Sequence, residues 1–153
     1  MSVRMTEDEA WAFVERAHTG VLTTLRADGR PVALPVWFVV LDRAVFVGTP
    51  SRSKKVARVA RDPRASFLVE DGDRWAELRA VHLDGIVEEV DDPEVRARVD
   101  DAVSAKYAAY QTPPDEMPDA SRRHYAGRTL LRFTPAGAPL SWDNAKLRLA
   151  GRS

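Results

Sequence analysis

The sequence predicts a small antiparallel β-barrel with flanking helices, and three observations predict it. Apolar runs of strand length recur along the chain, separated by short polar turns at Ala27-Asp28-Gly29, Asp42-Arg43 and Glu70-Asp71-Gly72-Asp73. Five such runs follow one another with hairpin-like links and a single helical crossover, where a parallel sheet would need a crossover at every step. With 153 residues, 44% of them hydrophobic, the chain is long enough to bury one core, so a single domain over 1–153 is expected.

Met1 to Met5 read as loose. Thr6 then starts a helix as its cap, with Glu9 three residues later completing a capping box, and Ala10, Trp11, Phe13, Val14 and Ala17 supply one apolar face. Gly20 reads as the helix stop, and Val21-Leu22-Thr23-Thr24-Leu25 as the first strand. Pro31 to Leu41 is the longest strand candidate. Val32, Leu34, Val36, Phe38 and Val40 fall on one side of it and Ala33, Pro35, Trp37, Val39 and Leu41 on the other. Both faces are apolar, so the outer one calls for a cover: a helix, a partner subunit or a flat ligand. Pro35 cannot donate to a strand ladder and marks an edge or a bulge, while Trp37 taken alone fits an ordinary core or interface aromatic.

Ala44 to Gly48 follows as a short strand, and Thr49-Pro50-Ser51-Arg52-Ser53-Lys54-Lys55 opens a helix. Between Ser51 and Arg64 stand Arg52, Lys54, Lys55, Arg58, Arg61 and Arg64 against one acid, Asp62, in a chain whose 23 basic and 23 acidic residues otherwise cancel. A helix start offers free N–H groups and the positive end of the macrodipole, to which serine hydroxyls, ammonium groups and a guanidinium fork add further donors. The pattern fits an anion site at a strand end; a solvated basic helix face is the plainer alternative.

Ala65 to Val69 and Leu78 to Val90 are the next strands, with Gly85 expected at a bend or bulge. Asp92 caps a helix with Pro93 at its first position, and Val95, Val99, Ala102, Val103, Lys106, Tyr107 and Tyr110 line one face of it. Gln111 to Asp119 carries Pro113, Pro114 and Pro118 and reads as a loop, followed by a helical piece over Ser121 to Tyr125 and a last strand over Arg128 to Phe133. The tail Pro139-Leu140-Ser141-Trp142-Asp143-Asn144 is too apolar for a free terminus and is expected to be covered. Tyr107 to Tyr125 is expected to form a lid.

Several chemistries find no footing. Zero cysteines exclude disulfides, thiolate metal sites and cysteine nucleophiles, and fit a reducing compartment. No run of about 18 apolar residues and no basic-then-apolar start is present, so a cytoplasmic protein with no membrane contact is expected. Zero net charge and a pI near 6.8 argue against nucleic acid as a partner. His18, His82 and His124 lack metal-ligand spacing, so no metal site is expected. Glu88 and Glu89 point to opposite sheet faces and make a poor acid–base pair. There is no Gly-x-Ser-x-Gly, P-loop or Gly-x-Gly-x-x-Gly, and no catalytic residue can be named. An enzyme built this way needs a cofactor to carry the chemistry.

The order Gly20-Val21-Leu22-Thr23-Thr24, Asp28-Gly29-Arg30-Pro31, Pro35-Val36-Trp37-Phe38, Ser53-Lys54-Lys55 and Arg61-Asp62-Pro63-Arg64 resembles the split β-barrel flavoprotein superfamily of pyridoxamine 5′-phosphate oxidase. Within it, the branch of deazaflavin (coenzyme F420)-dependent oxidoreductases is the most similar. The resemblance covers about Thr6 to Val90 well and the rest in outline. It implies a six- or seven-stranded antiparallel split barrel and a homodimer with two flavin-type sites at the interface. The ring would lie along Pro35, Val36 and Trp37, with the phosphate held near the start of the basic helix. Lys55 matches a phosphate contact of the family, Thr49 would lie by ring or phosphate, and Trp142 matches a tail that reaches the partner's site. Ser53 stands where relatives often carry arginine, a departure for which Arg52 and Lys54 could substitute. The activity implied is hydride transfer between coenzyme F420 and a small organic substrate. The alternatives are an FMN-binding oxidase or reductase of the same fold and a non-catalytic flavin- or haem-binding protein.

Overall fold

The computed structural model describes residues 2–125 and 127–150, excepting the side chains of Arg122, His124, Tyr125 and residues 148–150. The elements run α1 (Glu7–Arg16), β1 (Gly20–Leu25), β2 (Pro31–Val36), β3 (Val39–Leu41), β4 (Ala44–Pro50), α2 (Lys54–Arg61), β5 (Arg64–Asp71), β6 (Arg79–Val90), α3 (Pro93–Tyr107), α4 (Asp119–Tyr125), β7 (Arg128–Pro135) and β8 (Leu140–Asp143). Short 3-10 turns stand at Trp75–Glu77, Pro114–Glu116 and Asn144–Ala150. All strand pairs are antiparallel, in the order β2-β1-β5-β6-β7-β4-β3, with β8 beside β6.

The expected single strand over Pro31–Leu41 is two strands. β2 pairs with β1 and β3 pairs with β4, so the two pieces form the opposite edges of the sheet. Trp37 and Phe38 carry the chain from one edge to the other, which curls the sheet into a split barrel. Pro35 sits on an edge strand as its missing N–H requires. Among the described residues the cover on this stretch is only partial: Val36 is buried, but Leu34 is 38% and Trp37 41% exposed.

Inside the barrel, Trp11, Phe13, Leu22, Phe38, Phe67, Leu83 and Phe133 pack into the main core. Val39, Phe46, Val90, Val99, Tyr107 and Leu130 form a second cluster under α3. Asp92 caps α3 by accepting from the amides of Glu94 and Val95, and Thr6 and Glu9 form the expected capping box on α1.

Two glycines do other work than expected. α1 ends at Arg16, and Gly20 opens β1, where a Cβ would stand 2.2 Å from the ring of buried Phe67. β6 runs past Gly85 with no extra residue in its register, so there is no bulge. A Cβ there would lie 2.2 Å from the carbonyl oxygen of Thr134. Asp42 and Arg43, with φ of 51° and 57°, make the two-residue turn between β3 and β4.

The amino-terminal segment is not loose. The Asp143 amide donates to the carbonyl of Val3 at 2.7 Å, the Met5 amide donates to the Ser141 hydroxyl at 3.1 Å, and Met5 packs on the core. Met1 lies outside the described residues. This segment and β6 hold the apolar tail, whose Trp142 pairs with Ala80 and remains 37% exposed. No helix among the described residues is long and apolar enough to cross a membrane.

Candidate functional site

Thr49 and Pro50 end β4 rather than open the helix, and α2 begins at Lys54 with Ser53 as its cap residue. The Ser53 hydroxyl does not cap the helix. It accepts from the buried Thr49 hydroxyl at 3.1 Å, which leaves the first-turn amides of α2 without a side-chain acceptor from that residue. Thr129, opposite Thr49 on β7, donates to the Ser51 hydroxyl at 2.9 Å, and the Ser51 amide donates to the Gly127 carbonyl at 3.0 Å. The turn from strand to helix is therefore a fixed, hydroxyl-lined lip.

The basic window divides along α2. At its far end, Arg64 is paired with Asp62 at 2.8 Å and the Arg61 guanidinium donates to the Leu25 carbonyl at 3.0 Å. Arg58 is buried and donates through Nε to the Thr24 hydroxyl at 2.8 Å; burial, with Arg26 and Arg61 adding repulsion, pushes its pKa below the usual arginine value. At the near end, Arg52, Lys54 and Lys55 enter no ion pair among the described residues. Lys55 is half-buried, and burial followed by the Arg58 charge lowers its pKa. A bound anion would offset this lowering by favouring the charged form. The charge available to a ligand thus gathers at the helix start, where Thr49, Ser51 and Ser53 also stand.

The expected ring strand lies elsewhere on the chain. Pro35 and Val36 pair with Val21 and Gly20, whereas Arg58 and Arg61 contact Thr24 and Leu25 at the other end of β1. Trp37 stacks flat on Tyr107, with ring centroids 4.3 Å apart and 3° between planes, and His18 sets its edge against both at 5.7 and 5.4 Å. Trp142 is a third location, on β8 beside Ala80. Among the described residues no hydrogen bond, ion pair or ring contact joins the lip, Trp37 and Trp142. In one chain they remain three separate groups.

Sequence reasoning missed the residues that hold the ring strand in place. The strand break strips Phe38 of ladder partners, and Tyr107 replaces them. Its hydroxyl accepts the Phe38 amide at 2.9 Å, and its proton lies between the carbonyls of His18 at 2.8 Å and Phe38 at 2.9 Å. Lys106 Nζ donates to the same Phe38 carbonyl at 3.0 Å and stands 3.8 Å from the centroid of the Phe38 ring. Burial lowers the Lys106 pKa to about 8 and raises that of Tyr107, against the lowering effect of the Phe38 amide. A lysine inside the apolar stripe of α3 was the signal. Tyr107, being fully buried, is an anchor and not the first residue of a lid. The side chain of His124 lies outside the described residues, and no metal-binding cluster stands among the described ones.

A depression lined by Asp71, Asp73, Glu77, Arg79 and Asp143 is acidic on balance, because Arg79 is already paired with Asp71 at 2.6 Å. It is unsuited to an anion.

Comparison with known proteins bears on the fold and the family. The pyridoxamine 5′-phosphate oxidase family profile matches residues 6–139. An F420H(2)-dependent biliverdin reductase of Mycobacterium tuberculosis is 35% identical over 94 residues, spanning 58% of this chain and 67% of that protein. The crystal structure of a conserved hypothetical protein from the same organism is similar at a TM-score of 0.81 and 35% identity, over 96% of this chain and 90% of the other. An FAD-binding protein of Mesorhizobium loti shares the fold at a TM-score of 0.68 and 17% identity, over 88% and 91% of the two chains. With the half-barrel order of its strands and a family match across most of its length, the chain belongs to the pyridoxamine 5′-phosphate oxidase-like split-barrel family.

Proposed function

We propose that the protein is a coenzyme F420-dependent reductase, acting as a homodimer on a small organic substrate. The observation that carries the reading is the helix start, where Arg52, Lys54 and Lys55, which enter no ion pair among the described residues, stand in sequence beside a lip of hydroxyls. This donor set fits a phosphate group, and the half-exposed Trp37 beside the N–H-free Pro35 fits the face of a planar ring. Similarity to a reductase that uses F420H(2) supports the choice of cofactor.

Bound deazaflavin would supply hydride chemistry. The chain's own residues do the rest. Arg52, Lys54 and Lys55 bind and neutralise the phosphate, while the hydroxyls of Thr49, Ser51 and Ser53 orient it. The Pro35–Trp37 strand sets the plane of the ring. The separation of lip, ring strand and Trp142 in one chain supports a site completed by a second copy. The apolar, half-exposed edge carrying Leu34 and Trp37 supports a cover from outside the chain.

One observation favours FMN instead. Arg58 is consumed by Thr24 and Arg61 by the Leu25 carbonyl, which shortens the basic surface open to an acidic cofactor tail. Titration of the purified protein with coenzyme F420 and with FMN at fixed salt decides between them. Tighter binding of F420 is expected, and Arg52→Ala and Lys55→Ala should each weaken it by about tenfold or more, since a charged hydrogen bond contributes about 1.5–3 kcal/mol. Preference for FMN would move the protein to that cofactor. Unchanged affinity in both variants, with the fold intact, would remove the phosphate assignment.

A further inference from the structure

We propose that Lys106, together with Tyr107, is a positioning residue for the ring strand, holding the Trp37–Phe38 junction so that the end of α3 fixes the plane of Trp37. The inference rests on the reading of Pro35–Trp37 as the strand that carries the cofactor ring.

Neither adjoining strand includes Trp37 or Phe38, and Pro35 contributes no N–H, so the sheet does not fix their orientation. Two consecutive residues of α3 do. Tyr107 accepts the Phe38 amide and stacks on the Trp37 ring, and Lys106 donates to the Phe38 carbonyl while lying over the Phe38 ring. His18, from the link between α1 and β1, closes the arrangement by its ring edges and its carbonyl. Lys106 occupies a helix face otherwise made of Val99, Ala102, Val103 and Tyr107. An ionised group there costs desolvation and enters no ion pair among the described residues. A methionine would fill the same space at less cost. The use of the charge is the hold it exerts on a backbone carbonyl and an aromatic face.

The groups facing Lys106 are few. β3, which packs against α3, carries no titratable residue; His18 comes from the α1–β1 link, and Tyr107 and Tyr110 from α3 and the residues after it. Lys106 is therefore the group of this cluster that loses charge just above neutral pH. The hold should weaken as it does so.

The test compares the full-length protein with Lys106→Met, Lys106→Arg and Trp37→Phe, using coenzyme F420 and FMN as probes from pH 7 to 9.5 at constant salt. The near-ultraviolet circular dichroism of the cofactor-free protein gives a second readout, with Trp37→Phe identifying the part that belongs to the Trp37–Tyr107 stack. Wild-type affinity should fall several-fold across the window. Lys106→Met should already be that weak at pH 7, and Lys106→Arg should keep the neutral-pH affinity to the top of the range. Whatever slope is left in Lys106→Met belongs to groups other than Lys106, so the difference between the two profiles isolates Lys106. The Trp37 dichroism should follow the same order, while Lys106→Met melts no lower than wild type.

Wild-type affinity and dichroism in Lys106→Met at pH 7 would overturn the proposal. So would a loss of affinity that merely tracks a loss of melting temperature and is not restored by arginine. If neither cofactor binds the wild type, the proposed function fails, but the dichroism still decides: an altered Trp37 signal in Lys106→Met, restored by arginine, supports the positioning role, and an unaltered one refutes it.

Discussion

Replacing Tyr107 by phenylalanine removes one oxygen from the centre of the fold, and the cost can be worked from its partners. The hydroxyl is the acceptor for the Phe38 amide at 2.9 Å and shares its proton between the carbonyls of His18 and Phe38. The Phe38 carbonyl keeps Lys106 as a donor, so its loss is partial. The Phe38 amide keeps no other acceptor among the described residues. It lies in a junction whose side chain is 1% exposed, beside a tyrosine that is 0% exposed, and water cannot replace the acceptor without a cavity to enter. An orphaned buried donor costs about 1–3 kcal/mol, and the weakened His18 carbonyl adds to that, giving about 2–3 kcal/mol. The aromatic stack survives, because the ring is unchanged. For a chain of this size the melting temperature should drop by about 4–12 °C. Thermal melts and urea titrations at pH 7 measure it, with Tyr110→Phe as control, since Tyr110 is 61% exposed and its hydroxyl forms no hydrogen bond among the described residues. A Tyr107→Phe variant that melts with the wild type would refute the claim that this hydroxyl satisfies the strand break.

Other perturbations probe other parts of the molecule. Gly85→Ala drives a Cβ against the Thr134 carbonyl oxygen, a backbone atom with no freedom to withdraw, and should cost about 3 kcal/mol, read as a lowered urea midpoint. Asp92→Ala removes the acceptor of the Glu94 and Val95 amides and should cost about 1 kcal/mol, read in the same titration. Lys106 carries a pKa of about 8 in the fold against 10.5 for an ordinary lysine, so between these values the unfolded chain binds more protons than the folded one. Wild-type stability should therefore rise relative to Lys106→Met as pH climbs through that window, by urea titration at each pH; a falling difference would contradict the burial of the charge.

Much of the fold was legible because its elements carry local chemistry. Thr6 and Glu9, Asp92 and Pro93, and the polar turns at Asp28-Gly29 and Asp42-Arg43 each mark a boundary by hydrogen bonding or backbone preference within a few residues. What failed was non-local. Pro31 to Leu41 looks like one strand because its apolar pattern is unbroken; that it serves two edges depends on Tyr107, which lies far along the chain. Gly20 and Gly85 show no local sign of the Phe67 ring and the Thr134 carbonyl that exclude a side chain there. The basic window was visible as charge, but its division into a free end and a committed end needed Thr24, Leu25 and Asp62. Lys106 was placed on the correct helix face and passed over, since a lysine on a helix is ordinary until its neighbours are known.

The junction at Trp37 and Phe38 bears on how the barrel comes together. Ordinarily, joining the first and last strands of a curled sheet means bringing together distant parts of the chain, with the entropy loss of closing a long loop. Here the two margins follow each other in sequence, so the connection across the seam is covalent and as short as the geometry allows. The most distant pairings are those of β4 with β7 and β6 with β7, which bridge the whole of α3 and α4. These long-range pairings raise the mean sequence separation of the contacts, which slows folding relative to a sheet of hairpins alone.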